Sequence, residues 1–304
     1  MAMVTNATTT ESLKPELKTF YDKNLLREAK ANLVHNQFGQ KRNIPKGGGK
    51  TIEFRKFSSL PKAKTAITEG VTPDGKALTA TAITATVGQY GDYVRITDML
   101  DLTAIDPILT ETGKLLGEQA SETLDSLTAD ILNGGSNVQY SGGKTARADL
   151  AEGDVLTVDD IKKAVRTLKR NKAKKINGSY VAIIHPDCAY DLTNDPKWEA
   201  VKTYDPKDLY NGEIGRIHGV RFVETSEAVK FLSGEAEIFS TLILGADAYG
   251  VTTIEGGGLE NIIKPFGSGD DPLNQRATSG WKATHTAKIL NELYMVRIES
   301  RATK

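Results

Sequence analysis

The feature that most constrains the fold is residues 62–97, a long extended stretch rich in Thr, Ala, Ile and Val. A turn signal divides it into arms at 63–71 and 77–94, because Pro73 presets one backbone dihedral and Gly75 tolerates a positive φ. An isolated two-stranded hairpin is marginally stable in water, and these small side chains bury little area by themselves. The hairpin must therefore lie against something else, either its own domain or another subunit.

The N-terminal segment is a second element without a core of its own. From residue 12, apolar residues recur at every fourth position and predict an amphipathic helix that ends near Phe38. Residues 40–50 are basic and glycine-rich, which predicts a linker, and Thr51–Phe57 alternates like a strand. The apolar stripe of the helix packs either on a later domain of the same chain or on another subunit.

A long helical pattern follows Asp106-Pro107 and stops at residues 133–135, Asn-Gly-Gly. About 26 residues at 1.5 Å each give roughly 39 Å, more than twice the length of a mean helix, which favours a spine over an element of a compact bundle. The apolar residues predicted on one stripe are Ile108, Leu115, Leu116, Ala120, Leu124, Leu127 and Ile131. The acidic residues predicted on the other face are Glu111, Glu118, Glu122 and Asp125.

A second region of mixed helix and strand follows the polar, glycine-rich linker at 137–153. Thr157 and Asp160 resemble a capping box at the start of a helix. The elements predicted after that helix are a buried strand at Tyr180–Ile184, a short helix at Pro186–Thr193, strands at Val220–Glu224, 240–244 and Glu260–Lys264, and an extended segment at 283–298.

The charges cancel overall but are segregated along the chain. The 304 residues carry 39 basic and 39 acidic side chains, which excludes a uniformly basic nucleic-acid binder. Residues 1–64 carry a net +8, 65–160 carry −11, 161–175 carry +8 and 176–304 carry −5. No aromatic residue interleaves the basic run at 162–175, so it is either a solvated helix face or an intersubunit salt-bridge surface. We expect basic arms to meet acidic spines across subunit boundaries.

No catalytic, cofactor or metal site is predicted. The Gly-Lys-Thr triplets at 49–51 and 143–145 lack the earlier glycine of a phosphate-binding loop, and the four histidines lack metal-ligand spacing. Cys188, the single cysteine, follows His185 closely, but burial at a helix start is favoured over a nucleophile there. With no secretory signal and no apolar run of membrane-spanning length, we expect a soluble protein that is not an enzyme.

Three local motifs give the chain a family resemblance. The first is His185-Pro186 followed by Tyr190-Asp191-Leu192 and Trp198, and the second spaces its glycines as Gly212, Gly215 and Gly219 before Val220. The third and most specific is Asp271-Pro272-Leu273-Asn274-Gln275-Arg276 followed by Gly280-Trp281-Lys282. With these motifs in this order, nearly the whole chain resembles a tailed-bacteriophage major capsid protein of the Hong Kong 97-like fold.

The resemblance implies an α+β Hong Kong 97-like fold with a fixed order of parts. Its expected parts are an N-terminal arm at 1–50, a peripheral-domain strand at 51–61, an extended hairpin loop at 62–97, a peripheral domain with the spine helix at 98–153, an axial α/β domain at 154–275 and a return to the peripheral domain at 276–304. The residues expected to act in assembly are Pro73, Asp74 and Gly75 at the hairpin tip, Leu13, Leu17, Tyr21 and Leu25 in the arm helix, and the axial-domain glycines Gly212, Gly215 and Gly219. The family motif is carried by Asp271, Pro272, Asn274, Gln275 and Trp281.

The function implied by the resemblance is self-assembly into hexamers and pentamers that close an icosahedral or prolate shell around double-stranded DNA. The implied partners are other copies of the chain, separate scaffolding and portal proteins, and decoration proteins in some relatives. The DNA would be enclosed without sequence-specific contacts, in a virion capsid assembled in the cytoplasm of the bacterial host. Two alternatives stay open, an encapsulin-like nanocompartment shell and a free nucleic-acid-binding protein.

Overall fold

The computed structural model describes residues 33–104, 108–198, 213–234, 236–268 and 271–303. Within these ranges the chain forms four α-helices and fourteen strands, which make three sheets. The helices are α1 (Asp98–Thr103), α2 (Ile108–Asn133), α3 (Val158–Arg170) and α4 (Pro186–Thr193). The strands are β1 (Gln40–Ile44), β2 (Thr51–Phe57), β3 (Ala80–Thr86), β4 (Gly88–Thr97), β5 (Val138–Tyr140), β6 (Tyr180–Ile184), β7 (Glu213–Ile217), β8 (Val220–Glu224), β9 (Lys230–Ser233), β10 (Ala236–Leu244), β11 (Tyr249–Ile254), β12 (Glu260–Lys264), β13 (Arg276–Ile289) and β14 (Met295–Ser300).

A five-stranded sheet is built around β13. This strand pairs antiparallel with β4, β11 and β12, and β1 adds to β11 in parallel. The spine helix α2 lies across one face of the sheet, where Leu116, Ala120 and Leu124 form a core with Trp281 and Ala283. The helix and β13 therefore hold this part of the chain together.

A seven-stranded mixed sheet has the strand order β5-β14-β10-β6-β8-β7, with β9 paired to β10. Strand β6 is buried at all five positions, as expected for a central strand. The apolar faces of α3 and α4 pack on this sheet through Ile161, Leu168 and Leu192. This is the α/β part of the molecule.

A third core joins the two sheets. It combines Leu132, at the end of α2, with Leu242 of the seven-stranded sheet and with Tyr249 and Ala287 of the five-stranded sheet. At the same junction the Ser240 hydroxyl donates to the Asn133 side-chain oxygen, and both residues are buried. The two sheets are thus joined by shared apolar contacts and not only by the connecting chain.

Several predicted elements are confirmed at their bounds. The spine helix ends at Asn133 before Gly134, the helix at Pro186–Thr193 starts with proline in its first turn, and the strands Thr51–Phe57, Tyr180–Ile184 and Val220–Glu224 form as expected. The Thr157 hydroxyl caps α3 by accepting a hydrogen bond from the Asp160 N–H at 3.3 Å.

The N-terminal predictions need correction where the structure describes them. Residues 33–39 form turns rather than helix, and the predicted linker at 40–50 contains β1, whose pairing with β11 supplies the backbone partners that a linker would lack. The predicted arm positions Leu13, Leu17, Tyr21 and Leu25 lie outside the described residues.

Sheet pairing shows how the strands of the expected parts are connected, and the domain boundaries themselves stay a prediction. Strand β2, placed in the peripheral domain at 51–61, pairs only with β3 among the described strands and forms the hairpin base. Strand β4, placed in the hairpin, belongs to the five-stranded sheet with β11 and β12, which were placed in the axial domain. The segment 276–304, expected to return to the peripheral domain, contains two strands in different sheets. A 3-10 turn at Glu292–Tyr294 separates β13 from β14, and β14 enters the seven-stranded sheet beside β5.

The faces of α2 differ from the predicted ones at two positions. Leu115, assigned to the apolar stripe, is 65% exposed, whereas Asp125, assigned to the acidic outer face, is fully buried. Asp125 is drawn inward by His35, a partner ninety residues away in the sequence. Glu111, Glu118 and Glu122 are exposed as expected.

Candidate assembly surfaces

The hairpin projects from the fold without cover from the described chain. Its base is the β2–β3 pair, in register from Thr51 opposite Thr86 to Phe57 opposite Ala80. Every residue from 55 to 82 is exposed. Five of these are large apolar side chains: Phe57, Leu60, Ile67, Val71 and Leu78, each between 54% and 74% exposed.

The turn at the hairpin tip lies four residues before the predicted Pro73-Asp74 turn. The Val71 N–H donates to the Thr68 carbonyl at 3.1 Å, and Gly70 between them has a φ of 78°, which glycine adopts without steric cost. The sequence signal at Pro73-Asp74-Gly75 lies in extended, exposed chain just after this turn, and the φ of Gly75 is not positive. The glycine that makes this turn therefore lies five residues before Gly75.

The root of the hairpin, by contrast, is fixed. Phe54 is only 3% exposed, and its ring fills the space over Gly250, where an added Cβ would lie 2.7 Å from the ring. The Lys56 ammonium donates to the side-chain oxygen of Asn291 at 2.8 Å. The base of the hairpin is thus packed against the rest of the chain, whereas its tip is exposed.

A buried pair of hydrogen bonds anchors the end of the N-terminal segment to the spine helix. The backbone N–H of His35 donates to one Asp125 oxygen at 2.7 Å, and its ring Nδ1 lies 2.6 Å from the other. Because a carboxylate can only accept, Nδ1 is the donor. The Tyr249 hydroxyl donates to the His35 carbonyl, and both His35 and Asp125 are fully buried. Sequence periodicity missed this site, since Asp125 carries no local sign of a distant partner.

The glycine run of the second motif forms a turn and a close contact. His218 and Gly219 both have positive φ, 51° and 80°, between β7 and β8, which is the pattern of a two-residue type I′ hairpin. Gly215 lies under the Trp198 ring, where an added Cβ would be 2.9 Å from it. Gly212 lies outside the described residues.

The third motif organises the loop that enters β13. The Asp271 carboxylate accepts from the Arg276 N–H at 2.7 Å and from the Gly267 N–H at 3.4 Å. Burial raises the pKa of Asp271, but these backbone donors outweigh it and the pKa is lowered overall. Asn274 takes a positive φ of 55° in the same loop, and the Gln275 carbonyl accepts from the N–H that begins α1 at 3.1 Å. Pro272 is exposed.

Trp281, which completes that motif, ties three elements together. Its indole N–H donates to the Gln119 side-chain oxygen of α2 at 3.0 Å, and the Gln119 amide donates to Asp92 of β4 at 2.8 Å. That hydrogen bond lowers the pKa of Asp92. Through Trp281 the motif therefore fixes how β13 packs against the spine helix.

The open face of the five-stranded sheet carries a groove of about 710 Å³. Its lining includes the basic and aromatic residues Tyr93, Arg95, Lys264, Arg276 and Lys282, together with the acidic residues Asp92 and Asp271. Lys282 pairs with Glu260 across the sheet at 3.4 Å. No described helix covers this face, in contrast to the face under α2.

Cys188 and His185 have structural surroundings in the described chain. Burial raises the pKa of the Cys188 thiol to about 12, and the side chain contacts Ser300 instead of a base. Burial also lowers the pKa of His185, which caps α4 by accepting from the Asp187 N–H at 3.1 Å. Among the described residues no group of three or more His, Cys, Asp or Glu side chains could hold a metal ion, and no described helix is long and apolar enough to cross a membrane.

Solved structures share this architecture at low sequence identity. The capsid of Ralstonia phage GP4 matches with 17% identity and a TM-score of 0.69, over 90% of this chain and 89% of that one. The capsid of cyanophage Pam1 matches with 16% identity and a TM-score of 0.70, over 88% and 90% of the two chains. A virus-like particle from Pyrococcus furiosus matches with 12% identity and a TM-score of 0.56, over 93% and 99%. The fold is the Hong Kong 97-like fold.

Family membership is shown by the sequence comparison rather than by the fold. No curated protein sequence matched the chain. The family model described as phage capsid protein matches residues 66–298, which include the hairpin tip, the spine helix and most of both sheets. The chain therefore belongs to the phage capsid protein family.

Proposed function

We propose that this chain is the major capsid protein of a tailed phage and builds its head as hexamers and pentamers of itself. These close into an icosahedral or prolate shell around double-stranded DNA. The observation that carries the proposal is the hairpin, which is exposed at every residue from 55 to 82 and yet carries five large apolar side chains on a fixed root. Exposed apolar patches of this kind mark protein interaction sites.

A neighbouring copy would cover the hairpin. Pro73, Asp74 and Gly75 would then set the path of the chain just beyond the tip. The arm stripe at Leu13, Leu17, Tyr21 and Leu25 would pack on a neighbour in the same way. Interfaces of this obligate kind bury more than about 2,000 Å² and form part of the stability of the fold.

The proposal includes other partners and a place of assembly. Scaffolding and portal proteins would be separate chains, with decoration proteins on the outer surface in some heads. Assembly would take place in the host cytoplasm, and the subunit would have no enzymatic activity. DNA would be enclosed without base-specific contacts.

Electron microscopy of purified particles tests the proposal. The expected result is closed shells with fivefold and sixfold clusters, and, from infected cells, shells with a portal vertex and packaged DNA. Shells that hold a protein cargo and never a portal would favour the encapsulin-like alternative. A protein that stays monomeric at high concentration, and binds DNA in a salt-dependent manner, would overturn the proposal.

A further inference from the structure

One end of the seven-stranded sheet carries a cluster of cations that we call the basic surface. It lies on the last turns of α3 and on the segment leading to β6, and consists of Arg166, Lys169, Arg170, Lys172, Lys174 and Lys175, all exposed. None of these six forms an ion pair with a described residue, whereas the neighbouring Lys162 and Lys163 pair with Asp159 and Asp160 at 3.3 and 3.0 Å. These six cations therefore lack ion-pair partners among the described residues, and an exposed acidic residue, Asp247, lies at the same end, next to Ala246, whose N–H donates to the Lys174 carbonyl.

The helix dipole accounts for only part of this surface. Lys169 and Arg170 lie in the last turn of α3, where cations interact favourably with the helix C-terminus. Lys172, Lys174 and Lys175 lie beyond the helix, and that effect falls off within the last turn. Placing three further like charges together costs free energy in the monomer, which indicates a use outside it.

The opposite end of the same sheet carries an acidic surface. Its members, Asp187, Glu224, Glu227 and Glu237, lie around the end of β6, and three of them act on the buried ring of His185. The three glutamates form no ion pair with a described residue, while Asp187 contacts His185 at 3.2 Å. Lys230 also lies at this end and stacks over Phe239.

Strand direction places the two surfaces at opposite ends. The parallel strands β6 and β8 both begin at the basic surface, beside the His218-Gly219 turn, and both end at the acidic surface. Strand β10 runs antiparallel to β6, so Glu237 near its start lies at the acidic end. Five residues of strand at about 3.3 Å each separate the surfaces by more than 13 Å, too far for them to neutralise each other within one subunit.

We propose that the basic surface of one subunit binds the acidic surface of the next, so that α/β domains join head to tail in a ring. The occupant of each surface is a second copy of this chain. A head-to-tail contact uses two different surfaces and generates a ring when its rotation closes. This inference rests on the proposed function and names the contact that would form the capsomer.

DNA is the competing occupant of the basic surface. Its phosphates would suit six cations, but they would leave the acidic surface at the other end of the domain unexplained. No aromatic residue lies among the six cations to stack on bases. A second copy accounts for both surfaces at once.

Charge-reversal variants of the full chain test the ring contact. An acidic variant carries Arg166→Glu, Lys172→Glu, Lys174→Glu and Lys175→Glu, and a basic variant carries Glu224→Lys, Glu227→Lys and Glu237→Lys. The control reverses three exposed lysines outside both surfaces and outside the basic N-terminal block, Lys144→Glu, Lys264→Glu and Lys288→Glu. Capsomer and shell yields are measured by native mass spectrometry and electron microscopy, after circular dichroism has shown that each variant is folded.

We expect each variant alone to lower the capsomer yield at least about tenfold, because like charges meet at every contact, and the control to assemble normally. Combining all seven substitutions in one chain restores assembly, because the two surfaces then exchange their signs. Mixing the two variants restores hexamers but not pentamers, because alternating subunits close only an even-numbered ring. Equal assembly of the wild type and both variants overturns the inference and leaves the proposed function intact. Failure of the wild type to assemble refutes the proposed function. An acidic variant that loses only binding to a DNA duplex would assign its surface to DNA and overturn the ring contact.

Discussion

Removing apolar area from the hairpin tip while keeping its length tests whether the tip is an assembly element. The change is the triple substitution Ile67→Ser, Val71→Ser and Leu78→Ser. These side chains are 74%, 59% and 70% exposed, so together they offer about two whole aliphatic side chains to a partner. At roughly 1.5–3 kcal/mol per buried side chain, the gross gain on covering them is about 3–6 kcal/mol per hairpin.

Ordering three side chains costs about 0.5–1.5 kcal/mol each, which leaves a net gain of about 1.5 kcal/mol at the midpoints of the two ranges. That corresponds to about a twelvefold change in each contact's equilibrium constant. We expect the triple variant to unfold at the wild-type temperature as a monomer, because the folded subunit already exposes these residues. Its shell yield, measured by sedimentation and electron microscopy across a concentration series, should fall sharply.

A matched variant separates loss of apolar area from the mere addition of hydroxyl groups. It places the same three serines in the same hairpin at Ala63, Ala66 and Ala77, where little apolar area is lost. We expect it to assemble nearly as the wild type does. If the triple variant assembled at wild-type yield, or if both variants lost assembly equally, hairpin burial could not be the driving contact and the reasoning would be refuted.

Three further predictions concern the folded subunit. Asp125→Ala leaves His35 buried without its partner and should lower the free energy of unfolding by about 3–5 kcal/mol in urea titration, whereas Asp130→Ala on the exposed face of the same helix should change it by under about 0.5 kcal/mol. The Cys188 thiol, with its pKa raised to about 12 by burial, should not react with a thiol reagent at pH 8 until the protein is unfolded; rapid reaction of the native subunit would contradict its burial. Burial lowers the pKa of His285 to about 4, below its unfolded value, so its contribution is complete above about pH 6.5 and is lost as the pH falls toward 4. Urea midpoints should drop over that range, and His285→Gln should flatten the drop.

The sequence predicts elements well where local pattern and burial coincide. Tyr180–Ile184 is apolar at every position and is a fully buried central strand, and Asn133-Gly134 stops the spine helix where it was expected to stop. The predicted exposure of Asp125 was wrong because its partner His35 lies in another segment of the chain. Periodicity alone assigns a carboxylate to the solvent-facing side of a helix. The sequence pattern also did not show that β14 joins the seven-stranded sheet, because its pairing partners β5 and β10 decide which sheet it enters.

The candidate surfaces follow the same division. The hairpin was predicted from composition, because small β-prone residues without a core need a partner, but its turn sits at Gly70 rather than Gly75 since either glycine can supply a tight turn. The basic run was visible in the sequence, and its acidic counterpart was not. Glu224, Glu227 and Glu237 become one surface only because β6, β8 and β10 bring their ends together.

The junction between the two sheets indicates which parts of the subunit respond to assembly. Leu132, Leu242, Tyr249 and Ala287 form one core across both sheets, so hinging between them would expose apolar area that is buried in the monomer. The hairpin has no such restraint beyond its root at Phe54. Differences between neighbouring subunits in a curved shell should therefore appear mainly in the hairpin, while each pair of sheets moves as one body. Because the basic and acidic surfaces belong to that body, the ring contact can keep one geometry while the hairpins adapt to curvature.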